Sequence, residues 1–181
     1  MTEPGTRVSE DVVGEETKAE GIHRFEAFFD AERRRLYGTL CLVTENRAEA
    51  EELMQEAFLR LWERWHTVGT LDDPTAYLYR TAFNLFRNRI RRTVRAARRM
   101  LRPQPPADEF AAVDEREDLL AALRALSPRQ RAAVVLLDLM DYTSEAAGQL
   151  LAVRPATARA LAFQARQALR ASMKHEGGGD E

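Results

Sequence analysis

The 181-residue sequence contains very little cysteine and histidine, and each shortage excludes a class of functional site. Cys41 is the single cysteine, so the chain can form neither an internal disulfide nor a cysteine-based zinc cluster. It lies among apolar residues, which is typical of a buried, unreactive thiol. The three histidines are far apart and indicate no metal site, and there is no glycine-rich phosphate-binding loop. We therefore expect no catalytic constellation, no metal and no cofactor, and predict that the protein is not an enzyme.

Long hydrophobic runs are also missing. The longest uncharged apolar run, residues 132–137, is far shorter than the roughly 20 residues needed to span a bilayer. The N-terminal stretch is acidic and lacks the apolar segment of a secretory signal. We expect no membrane insertion and a cytoplasmic location.

Charge is distributed unevenly along a chain whose formal net charge is only −2. Residues 77–102 contain nine arginines and no acid, whereas acids dominate residues 1–21 and the proline-rich stretch that begins at Pro103. Disordered segments and linkers have characteristic compositions. On that basis the charge blocks divide the chain into five predicted parts. They are a disordered acidic tail (1–21), a helical domain (22–102), an acidic linker (103–118), a second helical domain (119–175) and a short tail (176–181).

The apolar residues recur at helical spacing, and no stretch shows the alternation of a strand. Residues 50–65 carry an apolar residue every three or four positions, which is the pattern of one buried helix face, and Trp62 and Trp65 on this face are expected to pack in the core. An earlier helix is predicted over about residues 22–43, and a third begins at Pro74 with Asp73 as its N-cap. The sequence therefore predicts an all-α protein made of two small helical bundles joined by the linker.

The arginine-rich stretch forms a helix with one apolar side and one cationic side when it is drawn on a helical wheel. The polar residues that share an arc of about 80° are Arg80, Asn84, Arg87, Arg91, Arg95 and Arg98, with Tyr77 at its edge. Like charges at this spacing repel each other, so we predict an anionic partner, nucleic acid phosphate. Asn84 can pair with a base edge, and Tyr77 can stack on an unpaired base. A solvated face, with Tyr77 packed on its own bundle, is the alternative.

The preceding helix has the opposite character. Its polar face carries Glu49, Glu52, Glu56 and Glu63, with the amide of Gln55 nearby. Because an acidic stripe repels DNA, we predict that this bundle faces two different partners. An ordinary exposed helix face is the alternative.

These two helices resemble region 2 of bacterial sigma factors of the extracytoplasmic-function (ECF) type. The matching segments are AEAEELMQEAFLRLWERW and PTAYLYRTAFNLFRNRIRR, with mild departures at Glu52, Tyr77 and Asn88. The resemblance implies that the β′ clamp coiled coil of core RNA polymerase is contacted by Glu52, Leu53, Gln55 and Glu56. It implies that the opened promoter −10 element meets Tyr77, Arg80 and Asn84 at its single strand and Arg87, Arg91 and Arg95 at its phosphates.

The C-terminal segment has the capping and turn residues that mark the helix boundaries of a helix-turn-helix. Ser127 and Gln130 form a predicted capping box around Pro128, and Pro155 opens the last helix after a turn. The segment resembles ECF region 4, which implies contacts with the promoter −35 element and the polymerase β flap. The candidate −35 residues are Arg154, Thr157, Arg159 and Arg166.

The helix-turn-helix nevertheless departs from the family pattern. Ala152 replaces the turn glycine, Gly148 stands where alanine is usual, and Phe163 lies among the arginines. We therefore expect weaker or altered −35 recognition.

The resemblance covers nearly the whole chain apart from the tails. It implies a sigma factor that binds core RNA polymerase and opens promoters, with an anti-sigma factor as a further candidate partner. The alternative is a sigma-derived regulator or interaction protein that does not itself initiate transcription. A third hypothesis, an autonomous helix-turn-helix repressor dimer, leaves the acidic helix face unexplained.

Overall fold

The computed structural model describes residues 8–99 and 122–176, and the regular elements in these ranges are helical, which confirms the predicted all-α class. The N-terminal domain contains α1 (Val8–Thr44), α2 (Arg47–Trp62), α3 (Trp65–Val68) and α4 (Pro74–Arg99). The C-terminal domain contains α5 (Pro128–Val134), a π-helical turn (Val135–Leu139), α6 (Ser144–Leu151) and α7 (Pro155–Glu176). In the first domain α2 packs against both α1 and α4, and in the second α7 packs against α5 and α6.

Side-chain caps fix where the helices begin. Asp73 accepts a hydrogen bond from the backbone N–H of Ala76 at 2.8 Å, which confirms it as the N-cap of α4. Ser127 and Gln130 form the predicted capping box at the start of α5. At α2 the cap is Asn46, which accepts from the N–H of Glu49 at 2.9 Å, so the helix begins before the apolar pattern does.

The N-terminal tail differs from its prediction. We predicted disorder over residues 1–21, whereas α1 already begins at Val8. Extending a formed helix costs far less than nucleating one, and this segment is rich in glutamate, which favours helix. The helix therefore runs back from the part of α1 that packs on α2. Residues 1–7, the predicted linker (103–118) and residues 177–181 lie outside the described residues.

Most buried apolar side chains of the two domains form one shared hydrophobic core, beside a smaller cluster around Leu123 and Leu126, where the sequence predicted two separate bundles. A continuous cluster of buried apolar side chains runs from Leu36 and Phe83 in the N-terminal domain to Leu136 and Leu150 in the C-terminal domain. Contacts between α4 and α6, and between α1 and α5, join the domains. Each small bundle leaves part of its apolar surface uncovered, and docking the two buries that surface.

The helix-turn-helix turn has an unusual pair of small residues. Ala152, at the end of α6, lies in the left-handed region with φ 50° and ψ 51°, which normally favours glycine. Gly148, one turn earlier, lies where a Cβ would be only 3.0 Å from the carbonyl oxygen of Val153. A Cβ at position 148 would therefore crowd the backbone of the turn, while Ala152 carries the strain of its left-handed conformation.

Candidate nucleic-acid and protein interfaces

A polar cavity lies between the C-terminal end of α2 and the first half of α4. Its volume is about 330 Å³, and its walls are formed by Arg60, Glu63, Arg64, Tyr77, Thr81 and Asn84. Tyr77 and Asn84, both singled out in the sequence, are thus brought together with side chains from α2. The guanidinium of Arg64 donates to the Tyr77 hydroxyl at 3.2 Å and so fixes one edge of the ring.

Four further cavity residues were not predicted for this site, namely Arg60, Glu63, Arg64 and Thr81. A signal for Thr81 existed, because it lies four residues after Tyr77 and three before Asn84 on one helix face. Its hydroxyl donates to the Tyr77 carbonyl at 2.9 Å, which leaves its oxygen as an acceptor. Arg64 and Glu63 carry no such signal, since only the packing of α2 on α4 brings them to the cavity.

The arginines of α4 do not all face solvent. Arg80, Arg91 and Arg95 are exposed. Arg87 is partly buried, and its Nη1 donates to the backbone carbonyl of Leu150 at the end of α6, at 3.0 Å. Burial, together with the positive charge of Arg91, lowers the pKa of Arg87. In this arrangement Arg87 therefore serves the joint between the domains, which a helical wheel of α4 alone cannot reveal.

The polar face of α2 is exposed but partly neutralised by neighbouring arginines. Glu52 and, at 3.7 Å, Glu49 pair with Arg89 of α4, and Glu56 pairs with Arg60 at 2.6 Å. Gln55 donates to Glu51 at 3.1 Å. The ion pairs of the exposed Glu52 and Glu56 are individually weak, contributing about 0–1 kcal/mol each. The face therefore remains able to exchange its internal pairs for those of a partner.

Leu53 is a correction to the candidate polymerase-contact set. Only 3% of it is exposed, and it packs in the shared core. Its apolar side chain falls on the buried face of α2 and holds the helix against its neighbours, so Glu52, Gln55 and Glu56 are the members that reach the surface.

An apolar groove adjoins the α2 face. Trp62 is 43% exposed and, with Leu59, Phe58, Phe25, Phe29 and Ile22, lines a groove of about 410 Å³. The apolar pattern predicted core positions for both tryptophans of α2 and α3. Trp65 is indeed buried, and its indole N–H donates to the Gly21 carbonyl at 2.9 Å, but Trp62 lies against Phe25 at the surface.

The candidate −35 residues lie on α7 and the turn before it, and two of them already have partners. Arg154, Thr157 and Arg159 are exposed, and Arg159 donates to the Ser144 hydroxyl at 2.8 Å. Arg166 forms an ion pair with Asp138 at 2.8 Å, so part of its charge is neutralised within the domain. Phe163 is 57% exposed on the same helix.

The joint between the domains contains a second buried arginine, Arg131. It is 4% exposed and donates to the carbonyls of Val43, Leu123 and Leu126 at 3.0–3.1 Å. Glu45, at the end of α1, pairs with it at 2.8 Å. Burial lowers the pKa of Arg131, and the carboxylate of Glu45 opposes that effect. None of these contacts was predicted, and those with Val43 and Glu45 join residues far apart in the chain.

Comparisons with known proteins agree with both halves of the fold. Residues 28–99 match the family model of sigma-70 region 2, and residues 116–169 match that of sigma-70 region 4. The ECF RNA polymerase sigma factor SigE of Mycolicibacterium smegmatis is 33% identical over 147 residues, which cover 75% of this chain and 56% of SigE. SigK of Mycobacterium sp. (strain KMS) is 28% identical over 139 residues, 70% of each chain.

A solved structure shows the same fold. It is the sigma factor RpoE in complex with the anti-sigma factor NepR from Bartonella quintana, with a TM-score of 0.68 at 20% identity, covering 83% of this chain and 96% of that chain. Among the described residues, no helix is long and apolar enough to cross a membrane.

The chain spans only a little over half the length of SigE, and 50% of the length of SigG from Mycobacterium tuberculosis, which is 27% identical. Both sigma-70 regions are nevertheless matched in their proper order. The chain belongs to the ECF family of RNA polymerase sigma factors.

Proposed function

We propose that the protein binds core RNA polymerase through the exposed face of α2 and directs it to promoters that α4 opens and reads. The observation that carries this proposal is the opposite chemistry of two adjacent helices. Glu52, Gln55 and Glu56 are exposed on α2, while α4 presents exposed arginines and the cavity that contains Tyr77 and Asn84. A protein that bound only DNA would not need the acidic face of α2. A protein that bound only another protein would not need the cationic face of α4.

The cavity suits a base taken out of the −10 element. Extruding a base costs a few kcal/mol, and stacking on an aromatic ring returns about 1–3 kcal/mol per base. The ring of Tyr77 supplies that stacking surface, and the amide of Asn84 supplies both a donor and an acceptor for the base edge. Arg80 is exposed beside the cavity for the adjacent phosphates, with Arg91 and Arg95 further along α4.

Arg87 has a conditional role in this proposal. Its guanidinium reaches a DNA phosphate only after it releases the Leu150 carbonyl, which requires that α6 move away from α4. Promoter binding by Arg87 is therefore linked to separation of the two domains.

The polymerase partner of α2 is the β′ clamp coiled coil. A cation on that partner can displace Arg60 from Glu56 or Arg89 from Glu52 at little cost, because both glutamates are exposed. The exposed rings and aliphatic groups of Trp62 and Leu59 lie beside this face and add apolar area for the same contact.

The C-terminal domain is proposed to meet the −35 element and the β flap. Arg154, Thr157 and Arg159, exposed at the start of α7, are the proposed −35 contacts, whereas Arg166 must first release Asp138. An anti-sigma factor is a further proposed partner, since the solved sigma factor RpoE is in complex with one. A cytoplasmic location follows from a polymerase partner.

A second candidate function is a sigma-derived regulator that binds polymerase without initiating at a −35 element. The observation that favours it is the state of α7, where Arg166 is paired with Asp138 and Arg159 with Ser144. This candidate predicts polymerase binding without promoter-dependent transcripts.

The test is capture of core RNA polymerase followed by run-off transcription from a promoter library. We expect the protein to retain core polymerase and to produce specific transcripts. The double variant Glu52→Gln and Glu56→Gln should weaken capture by about tenfold, because each exposed charge pair contributes up to about 1 kcal/mol. The matched control is Asp30→Asn, which removes an exposed carboxylate from α1. Failure to bind core polymerase would end the proposal, and binding without transcripts would select the second candidate.

A further inference from the structure

A small cavity lies at the boundary between the two domains. Its volume is about 100 Å³. Three arginines line it, Arg87 and Arg91 from α4 and Arg129 from α5, and the lining contains no carboxylate. The remaining walls are apolar or backbone and are formed by Phe86, Ile90, Leu151, Ala152, Val153 and Leu161.

The absence of a carboxylate beside the arginines of this cavity is unusual for this protein. Among the arginines whose side chains the structure describes, four are partly or fully buried, namely Arg87, Arg89, Arg131 and Arg166. Arg89, Arg131 and Arg166 each have a carboxylate partner, respectively Glu52, Glu45 and Asp138. Arg87 has only the Leu150 carbonyl. Within residues 8–99 and 122–176, no ion pair compensates Arg87, Arg91 or Arg129.

Arg87 also has an unused donor. Its Nε is buried and has no hydrogen-bond partner among the described residues. A buried donor on a charged group is costly when it is left unpaired. Burial and the neighbouring charge of Arg91 both lower the pKa of Arg87, the direction expected for a cation without a counter-ion.

We propose that this cavity binds a small oxyanion such as inorganic phosphate. Its size equals roughly three water molecules at about 30 Å³ each, enough for a single tetrahedral anion but not for a nucleic acid strand. Guanidinium groups recognise such oxyanions through paired N–H donors, and these three arginines approach from two domains. The bound anion links α4 to α5 and compensates the charge that the protein itself leaves unpaired.

Binding has a consequence for regulation that rests on the proposed function. While the anion is bound, Arg87 and Arg91 are held at the domain joint rather than offered to promoter phosphates. Oxyanion binding therefore favours the arrangement in which the two domains are packed together. The binding itself does not depend on polymerase or promoter.

The experiment uses the full-length protein without polymerase or DNA. Inorganic phosphate is titrated by calorimetry and by thermal unfolding, with chloride at equal ionic strength as the reference. We expect phosphate to raise Tm more than chloride does. Arg129→Gln should bind phosphate about tenfold or more weakly, because one charge-assisted contact is lost. The matched control Arg170→Gln, an exposed arginine of α7 outside the cavity, should keep native affinity.

Two results overturn the inference. One is a phosphate effect no larger than that of chloride, and the other is native phosphate affinity in Arg129→Gln. Circular dichroism verifies that the variant is folded. If it is not, Arg91→Gln removes a guanidinium from the opposite wall and must show the same loss, and native affinity there overturns the inference equally. Because neither polymerase nor promoter is present, a negative result leaves the proposed function untouched.

Discussion

The buried guanidinium of Arg131 donates to the backbone carbonyl of Val43 at 3.1 Å, and this contact ties the C-terminal domain to the end of α1. Glu45 pairs with the same guanidinium at 2.8 Å. The joint therefore consists of more than apolar packing, since it contains a charged group whose partners come from both domains.

Arg131→Met should destabilise the protein by about 3–5 kcal/mol, because removing one partner of a buried pair leaves Glu45 and several backbone carbonyls unsatisfied. Urea unfolding at neutral pH measures the change. Arg170→Met, an exposed position on α7, is the control and should change the free energy of unfolding by less than about 0.5 kcal/mol. If Arg131→Met lowered the free energy of unfolding by no more than the control does, the proposed contribution of Arg131 to the stability of the domain joint would be contradicted.

Ala152→Gly should stabilise the protein by about 0.5–1 kcal/mol. Alanine at φ 50° carries a left-handed strain that glycine does not, and this outweighs the entropy that glycine loses on folding. Ala156→Gly, one turn later on the exposed side of α7, is the control of opposite sign and should destabilise. Thermal unfolding of the two variants should move Tm in opposite directions, and a lower Tm for Ala152→Gly would be inconsistent with the strain.

Arg91→Gln and Arg95→Gln should each weaken the complex of polymerase, protein and promoter and reduce the slope of log affinity against log salt by about one. Arg92→Gln is the matched control. Arg92 is also an exposed arginine of α4, but it lines a different cavity beside Glu52 and Glu56, where we propose no DNA contact. Filter binding over a range of salt concentrations gives the slopes. Equal slopes for Arg91→Gln and Arg92→Gln would exclude Arg91 from phosphate contact.

Asn84→Ala should change the base preference within the −10 element rather than weaken all promoters equally. The amide is the group of the cavity best suited to discriminate base edges, and each good pair contributes about 1–3 kcal/mol of discrimination. Run-off transcription from promoters that vary one −10 base at a time measures the preference. Asn88→Ala, one turn later on α4 and outside this cavity, should leave the preference unchanged. An unaltered profile for Asn84→Ala would remove Asn84 from base reading.

Alkaline pH should destabilise the protein through Tyr79. Burial raises the pKa of Tyr79 from 10.0 to about 12, so the folded state holds the phenolic proton more tightly than the unfolded state. Its contribution is complete below pH 10 and is lost as pH rises towards 12, on the order of 2 kcal/mol in total. Tyr79→Phe cannot ionise, so its urea midpoint should fall less between pH 9 and 12. If the urea midpoints of the native protein and of Tyr79→Phe fell in parallel over this pH range, this assignment would be refuted.

The sequence was most informative where structure is local. Asp73 and the Ser127–Gln130 pair were identified as caps because a cap depends on residues three positions apart. The faces of α2 and α4 followed from helical periodicity for the same reason. Tyr77 and Asn84 were chosen from the sequence and do line one cavity, although their roles in promoter reading remain predictions.

Predictions that depended on packing between helices were less accurate. Leu53 was proposed as a surface contact and is buried, while Trp62 was expected in the core and lies at the surface. Both lie near the edge of the apolar arc of α2, where a small difference in how α1 and α4 dock decides exposure. Arg166 was grouped with free cations, but the chain returns through the π-helical turn and brings Asp138 to it.

The sequence by itself determined the helical class, the two domains in their order, and the opposite charges of α2 and α4. These follow from residue spacing of three or four, which fixes what a helix presents whatever it packs against. Only the tertiary structure decided that the domains share a core and that Arg87 and Arg131 serve their joint. Such contacts span 63 and 88 residues, and the free energy that selects them comes from burying surfaces whose fit no local pattern encodes.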